Sequence, residues 1–368
     1  MLIARPSLLL SGLMLLLACS LHPDVAAADK KVSKKTAKTT NSTSSQQQEN
    51  IHFEQWKEVE VFISQMVNLH GFDEEKLRQL FSQVRHAESA KQLMKPAPPG
   101  KPKNWKVYRS RFVEPYRIAA GVQFWNQYAE ALERAERQYG VPAEIIVGLI
   151  GVETIFGKHT GSFRVLDALT TLAFDYPDTP TRVTRMQYFR DELMHMLLIA
   201  RESQVDPFAF KGSYAGAIGW PQFMPGSIRK YAVDFDGDGR INLTNSPIDA
   251  IGSVAHYLAE HGWKPGVPVT FPATLISDDK ETLRTVLSQG LRASYTYQEL
   301  SKLASSASAD IAPQLKLGLI DLQNGEEATE YWIATDNFYA ITQYNRSYFY
   351  AMSVIDLGRV IRQAREQM

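Results

Sequence analysis

The stretch from Val141 to Thr154 constrains this chain more than any other. Ile145, Ile146, Val147, Leu149, Ile150 and Val152 fall on nearly every side of a helix, which predicts an element buried all round and central to its domain. Gly140 precedes it as a helix terminator, and Pro142 suits its first turn. Such a helix needs a large surrounding structure. The 368 residues suffice for one large domain, or for two to three lobes with cores of their own. At its far end, in Gly151-Val152-Glu153-Thr154-Ile155-Phe156-Gly157, stands a carboxylate. Apolar surroundings disfavour the ionised form of a carboxyl group and raise its pKa. An acid kept protonated near neutral pH can protonate the leaving oxygen of a glycosidic bond. The same residue would be inert if it pointed to solvent or paired with Lys158.

Helical spacing recurs elsewhere. Val59, Phe62, Ile63 and Met66 form one stripe, and Leu77, Leu80, Phe81 and Val84 form another, with Asp73 placed to cap the second helix. Pro96 to Lys103 reads as a loop. Trp125, Tyr128, Ala129 and Leu132 mark one face of a helix that Gly140 can end. Further helices are expected around Leu166 to Leu172, Phe189 to Ala200, Ile248 to Ala259 and Tyr350 to Arg365. Residues 264–330 differ. Short β-prone pieces, Val267 to Phe271 and Tyr331 to Ala334 at the edge, are mixed there with Pro, Gly and Ser. The fold class is mainly α (α+β), with a small mixed/β insertion at 264–330 between a helical region at 51–263 and its C-terminal part at 331–368.

The N-terminal residues predict export. Arg5 precedes an apolar run from Leu8 to Ala18, which is short for a membrane span but suits a signal peptide at 1–18. The sole cysteine, Cys19, follows Leu16-Leu17-Ala18, a pattern that resembles the bacterial lipobox, whose cysteine is lipidated. Cleavage near Val25 to Ala28, discarding Cys19, is the alternative. Ser20 after the cysteine implies, by the same resemblance, a periplasmic protein anchored to the outer membrane. Residues 19–50 are rich in Lys, Ser, Thr and Gln and cannot bury enough surface to offset their ordering, so they read as a disordered tether. A flexible coil of about 30 residues reaches roughly 30 Å. With one cysteine, neither an intramolecular disulfide nor a Cys-based zinc site can form. Lys+Arg and Asp+Glu balance at 40 each, which argues against a nucleic-acid partner.

Two further motifs accompany Glu153. Gly216 to Pro225 is a small-residue turn carrying one amide, Gln222, which offers a donor and an acceptor to a sugar amide. Taken alone it could be a tight inter-helix loop. Tyr344-Asn345-Arg346-Ser347 follows an aromatic stretch that includes Tyr339. The order of a Gly-Val-Glu-Thr helix end, a Gly-x-x-Gly-x-x-Gln loop and a later Tyr-Asn resembles the lysozyme-like lytic transglycosylases. Phe124 to Tyr128, Glu144 to Thr154, Lys211 to Pro225, Tyr231 to Phe235 and Ser253 to Tyr257 carry the likeness further, from about residue 51 to the C-terminus and most weakly in the insertion.

The resemblance implies a lysozyme-like multi-lobed helical fold and a peptidoglycan-cleaving enzyme whose single acid/base is Glu153. Ser213, Gln222, Tyr257, Tyr344, Asn345 and Tyr350 match positions lining the family's saccharide cleft, and Tyr108 matches an outer aromatic contact. Trp220-Pro221 stands where a family relative has Tyr-Gly, and Asp178 to Thr181 enlarge a loop before Arg185, so no arginine is carried over. By family analogy Glu153 protonates the oxygen between N-acetylmuramic acid and N-acetylglucosamine. It then takes the proton of the muramoyl C6 hydroxyl, which closes a 1,6-anhydro ring. No cofactor is needed for that chemistry. A lysozyme-like hydrolase and a non-catalytic wall-binding lipoprotein are the competing readings, and proteins of wall synthesis or division are partners that the sequence leaves open.

Asp234-Phe-Asp236-Gly-Asp238-Gly239-Arg240 follows the opening of an EF-hand loop. Asp234, Asp236 and Asp238 take positions 1, 3 and 5, Gly239 supplies the turn, and the Arg240 carbonyl is the position-7 ligand. Asn245 stands where the bidentate Glu is usual. By resemblance the family closes its site with a later Asp, here Asp249, so the expected EF-hand-like loop spans 234–249 and holds a structural Ca²⁺. Ser246 to Asp249 also reads as a capping box, and both roles could coexist. No Gly-x-Ser-x-Gly elbow in usable order, Walker loop or His-Glu-x-x-His is present, which weakens esterase, NTPase and metalloprotease readings.

Overall fold

Residues 52–96, 102–307 and 311–368 are described by the structure, a computed structural model. Cys19, the segment read as a signal peptide, the tether and residues 97–101 of the Pro96 to Lys103 loop lie outside them. Among the described residues fifteen α-helices dominate, with two small antiparallel sheets.

The chain divides into two units, one of which ends at His86. In that unit the helices Lys57–His70 and Glu74–Ser82 close on each other through Val59, Phe62, Ile63, Met66, Leu77 and Phe81, all buried. Phe62 and Phe81 meet edge-to-face at 6.0 Å. Gly71 ends the first helix in the left-handed conformation, and the Asp73 carboxylate caps the second by accepting the Lys76 N–H at 2.9 Å.

In the other unit the expected central helix is Ala143–Thr154, and every residue of it except Glu144 and Glu153 is buried. Pro142 is its N-cap rather than its first helical residue: ψ of 141° leaves it extended, and the Glu136 carboxylate accepts the Ala143 N–H at 3.1 Å. The long helix Tyr348–Glu366 runs antiparallel against it. Two glycines let the backbones touch. A Cβ on Gly148 would lie 2.2 Å from the Val354 carbonyl oxygen, and one on Gly358 would lie 2.1 Å from that of Glu144. With 144 beside 358 and 148 beside 354, the antiparallel run brings Tyr350 to Glu153.

The helix expected through Trp125 and Leu132 is two helices, Pro115–Gln127 and Ala129–Tyr139, broken at Tyr128 (φ −116°, ψ 26°). The halves serve different partners: the first packs on Tyr348–Glu366, the second on Pro247–Glu260. Val165–Phe174 and Arg182–Glu202 form a further pair.

The larger sheet orders its strands Ala304–Ser305, Thr270–Leu275, Glu327–Thr335 and Leu317–Asn324. Leu319 pairs with Ile333, which pairs with Phe271; these three face a small core with Val286, Leu300 and Leu303. Ile320, Leu322 and Ala334, on the other face, join the main core. The first strand of the region begins at Thr270, later than the Val267 start expected, and the last runs on to Thr335.

Candidate active site

Glu153 occupies the last turn of the central helix. The chain then reverses through three residues at positive φ: Ile155 (51°), Phe156 (55°) and Gly157 (79°). The Thr154 hydroxyl secures the reversal by donating to the Trp220 carbonyl at 2.9 Å and accepting the Gly157 N–H at 3.0 Å. A Cβ on Gly157 would lie 2.4 Å from the Trp220 ring, so only glycine lets that ring lie flat against the turn. Trp220, the departure noted in the sequence, thus packs where the turn leaves room, and its indole N–H donates to the Thr244 carbonyl at 3.1 Å.

The Glu153 side chain is half-buried. Burial pushes its carboxyl up to about 7, and a hydrogen bond donated by the Tyr350 hydroxyl to Oε1 pulls the other way. Tyr350 enters from the first turn of its helix, where Ser347 Oγ caps the Tyr350 N–H at 3.3 Å. Behind it the rings form a row. Tyr344 stacks on Tyr350 at 6.5 Å and meets Tyr257 at 4.8 Å. Burial raises all three phenols above their usual range, with Glu153 adding to the effect at Tyr344 and Tyr350, so each hydroxyl stays neutral.

The other expected cleft residues divide by what their polar atoms already do. Tyr257 is 1% exposed and donates to the Gln343 carbonyl at 2.9 Å; Tyr344 is 8% exposed and donates to the Pro221 carbonyl. Both hydroxyls tie buried rings to neighbouring backbone. Gln222, at φ 51°, spends both Nε2 hydrogens on the carbonyls of Gly219 (2.9 Å) and Thr160 (3.1 Å). It therefore offers a ligand only its Oε1 acceptor, not the donor and acceptor expected. Ser213 Oγ accepts the N–H groups of Ala215 and Ala217, leaving its hydroxyl hydrogen to donate. Asn345 is 7% exposed, and its Oδ1 has no hydrogen-bond partner. Tyr108 is half-buried against Trp105, Phe112 and Phe349, the residue before Tyr350.

One buried carboxyl escaped the sequence reading. Glu192 is 8% exposed, accepts the Gly226 N–H at 2.7 Å, and is pushed by burial up to about 7. Its signal was present: it interrupts the stripe of Phe189, Leu193 and Met196. In the enlarged loop's neighbourhood the Arg185 guanidinium lies over the rings of Tyr176, Tyr188 and Phe189, at 5.6 to 5.8 Å.

In the acidic loop the carboxylates of Asp234, Asp236 and Asp249 converge, their oxygens within 4.8 Å of one another. Asp238 and the Arg240 carbonyl, the other two expected ligands, follow in the same loop, where the Arg240 backbone N–H donates to Asp238 Oδ1 at 2.8 Å. Asp249 is fully buried and accepts the N–H groups of Phe235, Asp236 and Asn242. Ser246 caps its helix by accepting the Asp249 N–H at 3.1 Å, but the Asp249 carboxylate faces the loop, so only half of the capping box forms. Burial raises Asp249, while the Ser246 hydroxyl bond lowers Asp236. Three converging hard oxygen donors, one of them sealed from water, suit a divalent cation.

Residues 52–359 match the family described as Transglycosylase SLT domain. The chain is 44% identical over 320 residues to membrane-bound lytic murein transglycosylase B of Escherichia coli (strain K12), covering 83% of each protein. Soluble lytic transglycosylase SltB1 from Pseudomonas aeruginosa is a structural neighbour at 46% identity and a TM-score of 0.75, over 84% of this chain and 99% of that one. The Escherichia coli lytic transglycosylase Slt35 in complex with calcium superposes with a TM-score of 0.74 at 43% identity, over 84% and 94% of the two chains.

Proposed function

The chain belongs to the transglycosylase SLT family and is a peptidoglycan lytic transglycosylase, and from this premise we propose that Glu153 alone carries both proton transfers of the reaction. The observation that supports this is a carboxyl group poised at about 7 with a neutral phenol donating to it. As the acid, Glu153 gives its proton to the oxygen leaving the muramoyl anomeric carbon, and the muramoyl N-acetyl oxygen assists departure. The carboxylate so formed is stabilised by the Tyr350 hydroxyl. It then accepts the proton of the C6 hydroxyl while that oxygen bonds to C1. The product is a 1,6-anhydro sugar, Glu153 is again protonated, and no water is consumed. Ordinary glycosidases divide these tasks between two carboxylates.

The cleft residues follow from their spare valences. Ser213 offers a hydroxyl hydrogen, Gln222 an amide oxygen, and Asn345 a buried oxygen that a sugar N–H would satisfy. Tyr108 provides an outer apolar face. Mass spectrometry of digested murein sacculi tests the reading. Anhydro ends, lighter by one water than hydrolysed ends, are expected; reducing ends would make the enzyme a hydrolase, and absence of cleavage a binding protein.

Two attributes complete the proposal. Asp234, Asp236 and Asp249 hold a structural Ca²⁺ together with Asp238 and the Arg240 carbonyl, supported by the convergence of the first three and by the calcium complex of Slt35. Cys19 carries a lipid that anchors the protein to the outer membrane. Among the described residues no helix is long and apolar enough to cross a membrane. A Cys19→Ala protein is therefore expected in the soluble periplasmic fraction, and its continued sedimentation with membranes would refute the anchor.

A further inference from the structure

Glu192 has no part in the chemistry above, yet its placement is specific. It lies on the helix Arg182–Glu202, on the face that carries Phe189, Leu193 and Met196, all buried. Its Oε2 accepts the Gly226 N–H at 2.7 Å, and Tyr188, one turn earlier, hydrogen-bonds the same carboxyl group. A Cβ at residue 226 would stand 3.1 Å from Oε1 and 3.3 Å from Oε2, so the glycine leaves the carboxyl just enough room to reach the backbone. Gly226 closes the segment that carries Gln222. Between them, Phe223 and Met224 are 2% and 5% exposed, and Phe223 exchanges two backbone hydrogen bonds with Ile218, at 2.8 and 3.2 Å. A displacement at Gly226 has little slack in which to dissipate before it reaches Gln222.

The loop is thus held at three places by side chains: at its start by Ser213 Oγ, at its middle by Thr154 and Tyr344, and at its end by Glu192. We propose that Glu192 is a positioning residue for glycan binding, which fixes Gln222 by holding the Gly226 amide and so governs the grip on the sugar chain, not the proton transfers at Glu153. This rests on Gln222 being a sugar contact.

The test compares steady-state cleavage of soluble, uncrosslinked glycan strands by the full chain and its variants. Glu192→Ala should raise KM about tenfold, the scale of one lost buried hydrogen bond, with kcat held within about twofold. Glu192→Gln keeps an oxygen for Gly226 and an amide for Tyr188, so it should behave as the parent. Glu192→Asp keeps the charge but withdraws it from Gly226, so it should resemble the alanine variant, and it carries the test if alanine prevents folding. The double variant Glu192→Ala/Gln222→Ala should be no worse than Gln222→Ala alone. A fall in kcat at unchanged KM in Glu192→Gln would overturn the proposal in favour of a direct proton-transfer role. Additive effects in the double variant, or a normal Glu192→Asp, would overturn it as well. A normal KM in Gln222→Ala would instead remove the sugar contact itself, and the proposal with it.

Discussion

Replacing Tyr350 by Phe removes one oxygen atom and leaves the ring where it was, 4% exposed and stacked on Tyr344 at an interplanar angle of 13°. What disappears is the donor to Glu153 Oε1. Two opposed influences set that carboxyl: burial favours the neutral acid, the hydrogen bond favours the carboxylate, and burial prevails. Without the bond burial acts unopposed, and the carboxyl must titrate at higher pH. A hydrogen bond to a charged group is worth about 1.5–3 kcal/mol, so its loss should raise the midpoint by about 1–2 pH units. Cleavage begins from the protonated acid. The alkaline limb of the rate profile, expected near 7 in the parent, should therefore move upward. The maximal rate should fall about 10- to 100-fold, because the carboxylate formed after the first transfer has lost its stabilising donor. Release of anhydro products across the neutral range measures both effects, and carbon NMR of labelled Glu carboxyls reads the titration directly, with Glu153→Gln identifying the resonance. An alkaline limb that stays in place or moves toward acid would refute this account of the site.

Glu153→Gln should abolish cleavage and yet stabilise the fold. The native carboxyl holds its proton up to about 7 while the unfolded one releases it near 4.5, so native stability falls as pH rises between these values. Thermal unfolding should therefore favour the amide variant by about 1–3 kcal/mol above pH 7, and show no difference below 4.5. Chelation should lower the melting temperature, since an ion at 100 times its dissociation constant contributes about 2.7 kcal/mol; an Asp234→Ala/Asp236→Ala protein should lose that response in calorimetry. Gly148→Ala should push the two central helices apart, because its methyl would stand 2.2 Å from the Val354 oxygen, and cost at least about 1–3 kcal/mol by denaturant titration, with a loss of activity as Tyr350 retreats from Glu153.

What the sequence made legible was whatever is decided locally. The all-round apolar helix, the Asp73 cap and the Gly140 terminator follow from spacing and residue type, and Glu153 stands out as an acid at the end of a run that has little use for one. The break at Tyr128 was hidden because the helical period continues through it; the two halves part to reach partners distant in sequence. Leu317–Asn324 is buried on both faces along most of its length, so it lacks the alternation that marks a half-exposed strand. Glu192 acquires its meaning only from Gly226, 34 residues on. In the acidic loop the spacing named Asp234, Asp236, Asp238 and Arg240, whereas Asp249 came from the family resemblance, because only the fold buries it beneath the loop and turns its carboxylate toward the Phe235, Asp236 and Asn242 amides.

The reversal after Glu153 has a consequence of another kind. Ile155 is β-branched and sits at φ 51°, ψ 52°, a conformation that costs on the order of 1–3 kcal/mol for such a residue. The cost maintains a tight arrangement: Phe156 lies against Gly121 and Gly151, and Trp220 against Gly157. Selection for heat resistance alone would find relief at Ile155, where glycine enters the left-handed region freely. The same glycine would loosen the turn that seats those rings. Durability and turnover therefore pull in opposite directions at one position, two residues beyond the acid.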